Sequence, residues 1–307
     1  MKKENSTNST SSSRKSKKGL SAVVRWFWYI FIAGVVGVIL LFVSASFGLL
    51  GEMPDFQHLE NPETNLATEI VTADGKSLGK FYLDENRTPI RFKDLPKHLV
   101  DALIATEDER FYEHSGIDVR GTLRAMVYLG SKGGASTISQ QLAKQLFHKE
   151  KTRGLARYTQ KIKEWVIATR LEKQYTKEEI LAMYFNIYDF NNNADGIRSA
   201  AKIYFDKEPK NLKIEEGAML VGMFKNSALY NPVKNKEGVT NRRNVVLAQM
   251  AKNNYITQEQ KDSLQKLPLK IKFTPESHND GMATYFREYL RSYMKTWIDQ
   301  NPKPDGT

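Results

Sequence analysis

The sequence predicts a mainly α-helical protein that is anchored in a membrane by one N-terminal helix. Three observations support this prediction. Residues 26–50 are apolar and carry no charged side chain, and beyond Pro96 the apolar residues recur at helical spacing. Only a short stretch, residues 68–83, alternates as β-strands do. The chain has 307 residues and no cysteine, which excludes a disulfide framework and thiolate-bound metals.

The first 25 residues form a basic tail with seven Lys and Arg residues and one Glu, a net charge of +6 out of the chain's +11. Because the tail has almost no apolar side chains to bury, we expect it to be disordered. Cations that precede a membrane span hold the N-terminus in the cytoplasm. Membrane orientation thus explains the positive charge of the tail, and no nucleic-acid partner is needed. It also predicts that everything after residue 50 is extracytoplasmic (periplasmic).

Residues 26–50 are predicted to form an uncleaved transmembrane helix. A helix of 25 residues is about 37 Å long, more than the roughly 30 Å of a hydrocarbon core. A signal peptide has a shorter apolar region that is followed by a cleavage site. Trp26, Trp28 and Tyr29 stand beside Arg25 as an interfacial aromatic belt does. The sequence therefore favours a single-pass anchor in the cytoplasmic (inner) membrane.

A tether and a β-hairpin are predicted to follow the anchor. Residues 51–67 contain Pro54 and Pro62 and are interpreted as the tether. Asp74-Gly75 lies between two alternating stretches, which predicts a hairpin with a two-residue turn.

The rest of the chain is predicted to be helical. Ile138, Leu142 and Leu146 are spaced by four residues and predict a helix with Ser136 as its N-cap. The same reasoning predicts a helix that ends near Glu107, and helices over residues 157–173, 177–188 and 215–224.

Residues 282–297 form an apolar stripe at helical spacing, close to the end of the sequence. Two interpretations stay open. The stripe packs on the helical domain, or it belongs against a further domain of a longer chain. Ser292 and Lys295 fit the pattern S-x-x-K within this stripe. We interpret the match as coincidence and expect no penicillin labelling of this chain.

Several polar residues could carry chemistry, and each also has a structural explanation. Glu107 and Asp108 end a helix, where carboxylates are more often solvated than catalytic, although the helix dipole disfavours them there. Glu164 could form a surface ion pair with Lys161 or Lys163. His114 has no second His at ligand spacing, which favours a structural hydrogen bond over a metal site.

Together these residues suit one chemistry. A carboxylate can deprotonate a sugar hydroxyl, while cations neutralise a phosphate leaving group on a lipid. The cations that could do so are Lys144, Arg153, Arg157 and Lys161.

Four segments carry a family resemblance. In order they are "EDERFYEHSGID" (107–118), "GASTISQQLAKQL" (134–146), "QKIKEWVIATRLEKQYTKEEILAMYFN" (160–186) and "GMFKNSALYNP" with "RRNVVL" (222–247). They resemble the signature segments of the family 51 peptidoglycan glycosyltransferases, the transglycosylase domains of class A penicillin-binding proteins. The resemblance covers residues 68–265, and residues 266–307 look like the start of a linker toward a transpeptidase domain.

The resemblance implies a lysozyme-like, mainly α fold with a membrane-embedded jaw, and an enzyme that joins lipid II to a polyprenyl-diphosphate-linked glycan. Glu107 matches the general base and Glu164 the second glutamate, near the donor diphosphate. Lys144 and Arg153 match cations that neutralise the diphosphate. The residues implied in substrate binding are Asp108, Ser136, Thr137, Gln140, Gln141, Lys144, Arg153 and Lys161. No resident cofactor is implied with certainty, and a divalent metal at the diphosphate is left open.

This chain departs from the family pattern at three positions. Gln160-Lys161 stands where the family has an Arg-Lys pair, Ser139 replaces a threonine, and Ala182 stands where glutamate is frequent. Two other functions remain open: a lysozyme-like enzyme that cleaves glycan, and a non-catalytic cell-wall scaffold that recruits elongation proteins. Neither needs a cation-lined diphosphate site, and a scaffold does not need both glutamates.

Overall fold

The computed structural model describes residues 14–49, 68–75, 77–81, 86–128, 134–147, 154, 156–275 and 284–301. The chain divides into two compact units, Met1–Met53 and Pro54–Thr307. The tether predicted over residues 51–67 and the candidate cation Arg153 lie outside the described residues.

The first unit contains one long helix, α1, which covers Arg14–Ser46. Its apolar part, Ala22–Ser46, is long and apolar enough to cross a membrane. The helix begins inside the tail that we expected to be disordered, so that expectation is wrong from residue 14 onward. It also ends four residues earlier than predicted. Gly48 has a φ of 74° and its N–H bonds the Ala45 carbonyl, a left-handed ending that suits glycine.

The second unit begins with the predicted hairpin. Strands β1 (Thr68–Val71) and β2 (Ser77–Phe81) are antiparallel, with Thr68 opposite Phe81 and an irregularity after Ile70. The connection spans residues 72–76 rather than two residues, so the predicted turn length is wrong although the hairpin is present.

The remaining described elements are helical, which confirms the predicted mainly α fold. Short 3-10 turns cover Phe92–Asp94, Phe111–Glu113 and Pro209–Asn211. The α-helices are α2 (Lys97–Glu107), α3 (Val119–Val127), α4 (Ile138–Phe147), α5 (Ala156–Gln174), α6 (Lys177–Ile187), α7 (Gly196–Phe205), α8 (Ile214–Met223), α9 (Lys236–Lys252), α10 (Gln258–Lys266) and α11 (Thr284–Gln300).

Two groups of packed helices position the site. Helix α2 packs against α8 and α9, and α4 packs against α5 and α6. An aromatic cluster around Phe224 contains Tyr184, Phe185, Tyr188 and Phe190, with ring centroids 4.4–5.7 Å from that of Phe224. Since buried aromatic rings contribute large apolar areas, this cluster anchors α6 to the end of α8.

Helix α11 contains residues 284–297 of the predicted apolar stripe, and residues 282–283 lie outside the described residues. Several of its described apolar side chains are exposed, including Tyr285, Tyr289, Tyr293 and Trp297, although the helix also contacts β2. The described part of the stripe is therefore largely uncovered, which argues against the first interpretation, and the second stays a prediction.

Candidate active site

Glu107 is the last residue of α2, and its position follows from the burial of that helix. Leu99, Leu103 and Ile104 are buried, which fixes α2 in the core. The helix stops at Asp108, whose N–H bonds the Ile104 carbonyl. The Glu107 carboxylate reaches the surface at this end and is 15% exposed. It is therefore held by the core yet accessible to a ligand.

Asp108 turns in the opposite direction, into the protein, and its side chain is 4% exposed. One of its carboxylate oxygens accepts the N–H of Ile138, at the start of α4, at 3.0 Å. His114 Nε2 lies 3.0 Å from the same oxygen, which agrees with the structural hydrogen bond predicted for His114. A carboxylate at a helix N-terminus is favourable, so Asp108 fixes the start of α4. Its role in substrate binding stays a prediction.

Thr137, rather than Ser136, caps α4. The Thr137 hydroxyl accepts the Gln140 N–H at 3.2 Å, and it donates to the Gly116 carbonyl at 2.7 Å. Gln140 donates to the same carbonyl at 3.3 Å. The predicted N-cap was wrong by one residue because Ser136 is exposed and faces Lys161 instead. Thr137 and Gln140 are buried, so they hold the loop together.

Gly116 permits the close approach that this arrangement requires. It has a φ of +89°, and a Cβ at this position would lie 2.9 Å from the backbone of Ala168 and Thr169 in α5. Its carbonyl joins the turn after α2 to the start of α4. Gly116 therefore lets the turn pack closely against α5 while its carbonyl accepts hydrogen bonds from Thr137 and Gln140 at the start of α4.

Gln141 contacts the carboxylate of Glu107. Its Nε2 donates to Glu107 Oε2 at 3.1 Å, and its Oε1 accepts the hydroxyl of Tyr184 at 2.7 Å. On the other side of the carboxylate, Arg242 Nη2 lies 3.6 Å from Glu107 Oε1 and is itself only 12% exposed. A neutral amide donor and a guanidinium therefore lie beside the two carboxylate oxygens of Glu107.

Glu164 forms a second group on α5, and its side chain is only 5% exposed. Lys161 Nζ lies 2.9 Å from Glu164 Oε2, and Gln160 Nε2 donates to Oε1 at 3.2 Å. Lys161 also donates to the Ser136 hydroxyl at 3.1 Å. The ion pair with Lys161 is present as predicted, but it is partly buried. Gln160, where the family has a cation, supplies a neutral donor.

Helix α4 connects these two groups. Ser136, just before α4, contacts Lys161, and Gln141, in its first turn, contacts Glu107. Lys144, one turn further, is exposed. Of the predicted site residues that the structure describes, Ser136, Gln141, Lys161 and the two glutamates thus belong to one connected arrangement.

Sequence reasoning gave no role to Tyr184 or Arg242. Both lie in segments that carry the resemblance, "MYFN" and "RRNVVL". Neither spacing nor residue type indicates that Arg242 lies beside Glu107 or that Tyr184 bonds Gln141, because only the packing of α6 and α9 brings these residues to the site. Tyr184 is fully buried, and burial together with the nearby Glu107 charge raises its pKa well above the ordinary value. Its hydroxyl therefore stays protonated and acts as a donor.

In the part of the chain that the structure describes, no group of three or more His, Cys, Asp or Glu side chains could hold a metal ion. A metal carried by a diphosphate would not need such a group. The divalent metal at the diphosphate therefore stays a prediction.

Comparison with known proteins identifies the family of this chain. The Transglycosylase family model matches residues 74–251. Penicillin-binding protein 1A of Pseudomonas aeruginosa is 33% identical over 279 residues, covering 89% of this chain and 33% of that protein. Penicillin-binding protein 1A of Escherichia coli (strain K12) is 35% identical over 285 residues, covering 90% of this chain and 33% of that protein.

A crystal structure of Penicillin-Binding Protein 1A from Haemophilus influenzae gives a weaker likeness, with a TM-score of 0.42 and 23% identity over 80% of this chain and 26% of that chain. The chain spans about a third of the length of the two relatives above. The family match covers more than half of the chain and lies within the residues 68–265 that carry the resemblance. The resemblance is confirmed: the chain belongs to the transglycosylase family, the peptidoglycan glycosyltransferases that also occur in penicillin-binding protein 1A.

Proposed function

We propose that this enzyme polymerises lipid II into β-1,4 glycan strands with inversion and releases polyprenyl diphosphate, with Glu107 as general base. The observation that carries the proposal is the setting of Glu107. Its carboxylate ends a buried helix, remains 15% exposed, and lies between the Gln141 amide and the Arg242 guanidinium. A base needs this combination of fixed position and access to its substrate.

In the proposed step, the Glu107 carboxylate removes the proton from the 4-hydroxyl of the acceptor GlcNAc. The hydroxyl oxygen forms a bond to C1 of the donor MurNAc from the face opposite the diphosphate. The bond between C1 and the diphosphate oxygen breaks, and the bonding electrons leave with polyprenyl diphosphate. The proton stays on Glu107 until solvent removes it.

Lys161 is proposed to face the donor diphosphate, with Glu164 as the residue that holds it. Glu164 is only 5% exposed, against 15% for Glu107, so its carboxylate has less access to a substrate. Lys161 is 39% exposed, and the hydroxyl of Ser136 lies beside it. Exposed Lys144 and, outside the described residues, Arg153 would add positive charge. Cations positioned at a developing phosphate charge lower the barrier to departure.

The proposed topology is a single membrane crossing by α1, with the N-terminus in the cytoplasm and the enzyme unit outside. The apolar part of α1 is preceded by a strongly basic stretch, which favours this orientation. A lipid-linked substrate requires an active site close to the membrane, which an anchor provides. Elongation proteins remain a predicted class of partner.

The proposal is tested by following labelled lipid II in detergent micelles with the full chain. We expect the wild type to form long polymer and Glu107→Gln to lose about 10²–10⁴-fold in rate, the range for loss of a general base. Glu109→Gln is the matched control, since Glu109 lies two residues away and faces Lys252 at 3.1 Å. It should retain the wild-type rate.

Two results would contradict the proposal. Cleavage of preformed glycan without polymer formation would identify a lysozyme-like hydrolase. Neither activity, with the chain folded and glycan bound, would identify a scaffold.

A further inference from the structure

We infer that Tyr184 is a positioning residue, which holds Glu107 in its working geometry by fixing the orientation of the Gln141 amide. This inference rests on the proposed function, because it assigns Tyr184 a task in the service of the proposed base. Tyr184 of α6 bonds Gln141 of α4, and Gln141 bonds Glu107 at the end of α2. Two successive hydrogen bonds therefore link three helices.

The Gln141 amide has an acceptor oxygen on one side and a donor nitrogen on the other. Tyr184 donates its hydroxyl proton to Oε1, at 2.7 Å, which leaves Nε2 facing Glu107 at 3.1 Å. In the reversed orientation, Oε1 would face an ionised carboxylate and Nε2 would face a hydroxyl. The first of these contacts is repulsive, so the tyrosine and the carboxylate select the same orientation of the amide.

Tyr184 can perform this task because its hydroxyl is fixed in place and in protonation state. The ring is fully buried and stacks on Phe224, with centroids 4.8 Å apart and an interplanar angle of 16°. Burial and the charge of Glu107 raise the pKa of the Tyr184 hydroxyl well above its ordinary value. The hydroxyl therefore remains a donor throughout the pH range in which a carboxylate titrates.

Two charged or titratable groups besides Tyr184 lie near Glu107. Arg242 of α9 lies 3.6 Å from its Oε1. Burial raises the pKa of Tyr188, just after α6, to about 12, and the Glu107 charge contributes less. The Tyr188 hydroxyl donates to the Met223 carbonyl at 2.6 Å, so Tyr188 belongs to the same aromatic cluster but makes a partly buried hydrogen bond that does not involve Gln141.

This arrangement offers a matched pair of variants, Tyr184→Phe and Tyr188→Phe. Each removes one hydroxyl from the aromatic cluster around Phe224, from a fully buried ring in Tyr184 and a partly buried one in Tyr188. We expect Tyr184→Phe to lower kcat for lipid II polymerisation by about 3- to 10-fold, the equivalent of one hydrogen bond, with KM changed less than twofold. We expect Tyr188→Phe to leave kcat near the wild-type value.

The split between kcat and KM separates positioning from general loosening of the fold. A positioning role predicts that Tyr184→Phe lowers kcat with KM and the melting temperature nearly unchanged, whereas loosening of the aromatic cluster would change all three. Equal losses of kcat in both variants would overturn the inference, because they would show that either hydroxyl serves only the packing.

A double-mutant cycle with Gln141→Leu tests the path of the effect. If Tyr184 acts through Gln141, Tyr184→Phe should have no further effect on kcat in the Gln141→Leu background. Additive losses would contradict the inference.

The two proposals fail in different ways. Failure of the wild type to polymerise lipid II would reject the proposed function. A wild type that polymerises lipid II, together with equal kcat in Tyr184→Phe and Tyr188→Phe, would reject the positioning role alone.

Discussion

Glu107 and Glu164 have the same side chain in two different settings. Glu107 ends a helix, is 15% exposed, and has a neutral amide on one oxygen with a guanidinium 3.6 Å from the other. Glu164 lies within a helix, is 5% exposed, and has Gln160 and Lys161 on its two oxygens. Both carboxylates have partners at each oxygen, so the difference lies in exposure and in the kind of partner: Glu107 is more open to a ligand, whereas Glu164 holds a neighbouring lysine in a nearly buried position.

The largest expected difference between the two glutamates is in their neutral variants. Glu107→Gln should abolish measurable polymerisation while leaving the melting temperature within a few degrees of wild type, because its site is partly open. Activity and differential scanning calorimetry on the same preparations would measure both. A Glu107→Gln variant that keeps a tenth or more of the wild-type rate would break the comparison.

Glu164→Gln should lower both stability and activity. The change leaves Lys161 beside a neutral group in a partly buried position, which should cost about 1–3 kcal/mol in the free energy of unfolding. Urea unfolding would measure this cost, and Lys161→Met in the same background is the control. The double variant should be more stable than the sum of the two single losses predicts. Strict additivity would show that the ion pair contributes nothing.

Arg242→Gln should reduce activity by about tenfold, since one positive charge near the base is lost while a polar side chain remains. Arg242→Lys is the control and should recover part of the rate. An unchanged rate in Arg242→Gln would show that the Arg242 guanidinium, 3.6 Å from Glu107, has no role in the reaction.

Substitutions just before α4, at Ser136 and Thr137, should have smaller effects on stability and substrate binding. Thr137→Val removes the hydroxyl that caps α4, and should cost about 1 kcal/mol in the free energy of unfolding. Ser136→Ala should cost less, because Ser136 is exposed, but it should weaken substrate binding through Lys161. Chemical denaturation and KM would separate these effects. A larger stability loss in Ser136→Ala would contradict the assignment of Thr137 as the cap.

Glu109 gives the smallest expected effect, on the pH dependence of stability. The hydrogen bond from Lys252 lowers the pKa of the Glu109 carboxyl below its ordinary value. A carboxylate with a lowered pKa stabilises the fold above the unfolded pKa, and this contribution disappears as pH falls through the folded pKa. Glu109→Gln should therefore lose less stability than wild type between about pH 5 and pH 3. Thermal melts across this range would check it, and parallel curves would refute it.

Much of the fold was predictable because its signals are local. The apolar segment of α1, the hairpin and the helical spacing each depend on residues close in sequence. The errors also have local causes. The helical start of α1 extends into a polar tail, since a helix that has begun in the apolar segment adds turns at little cost. The N-cap of α4 shifted from Ser136 to Thr137 because Gly116 and Asp108 hold the loop from another element.

The sequence by itself determined the apolar N-terminal helix, the mainly α fold and the family, because each is carried by residue type and short-range order, and it predicted the two glutamates as site residues. The tertiary structure alone decided what surrounds these glutamates. Gln141 lies 34 residues from Glu107 in the chain, and Tyr184 lies 43 residues beyond Gln141. Such contacts depend on how α2, α4, α6 and α9 pack, and packing across long chain separations leaves no periodic signal in the sequence.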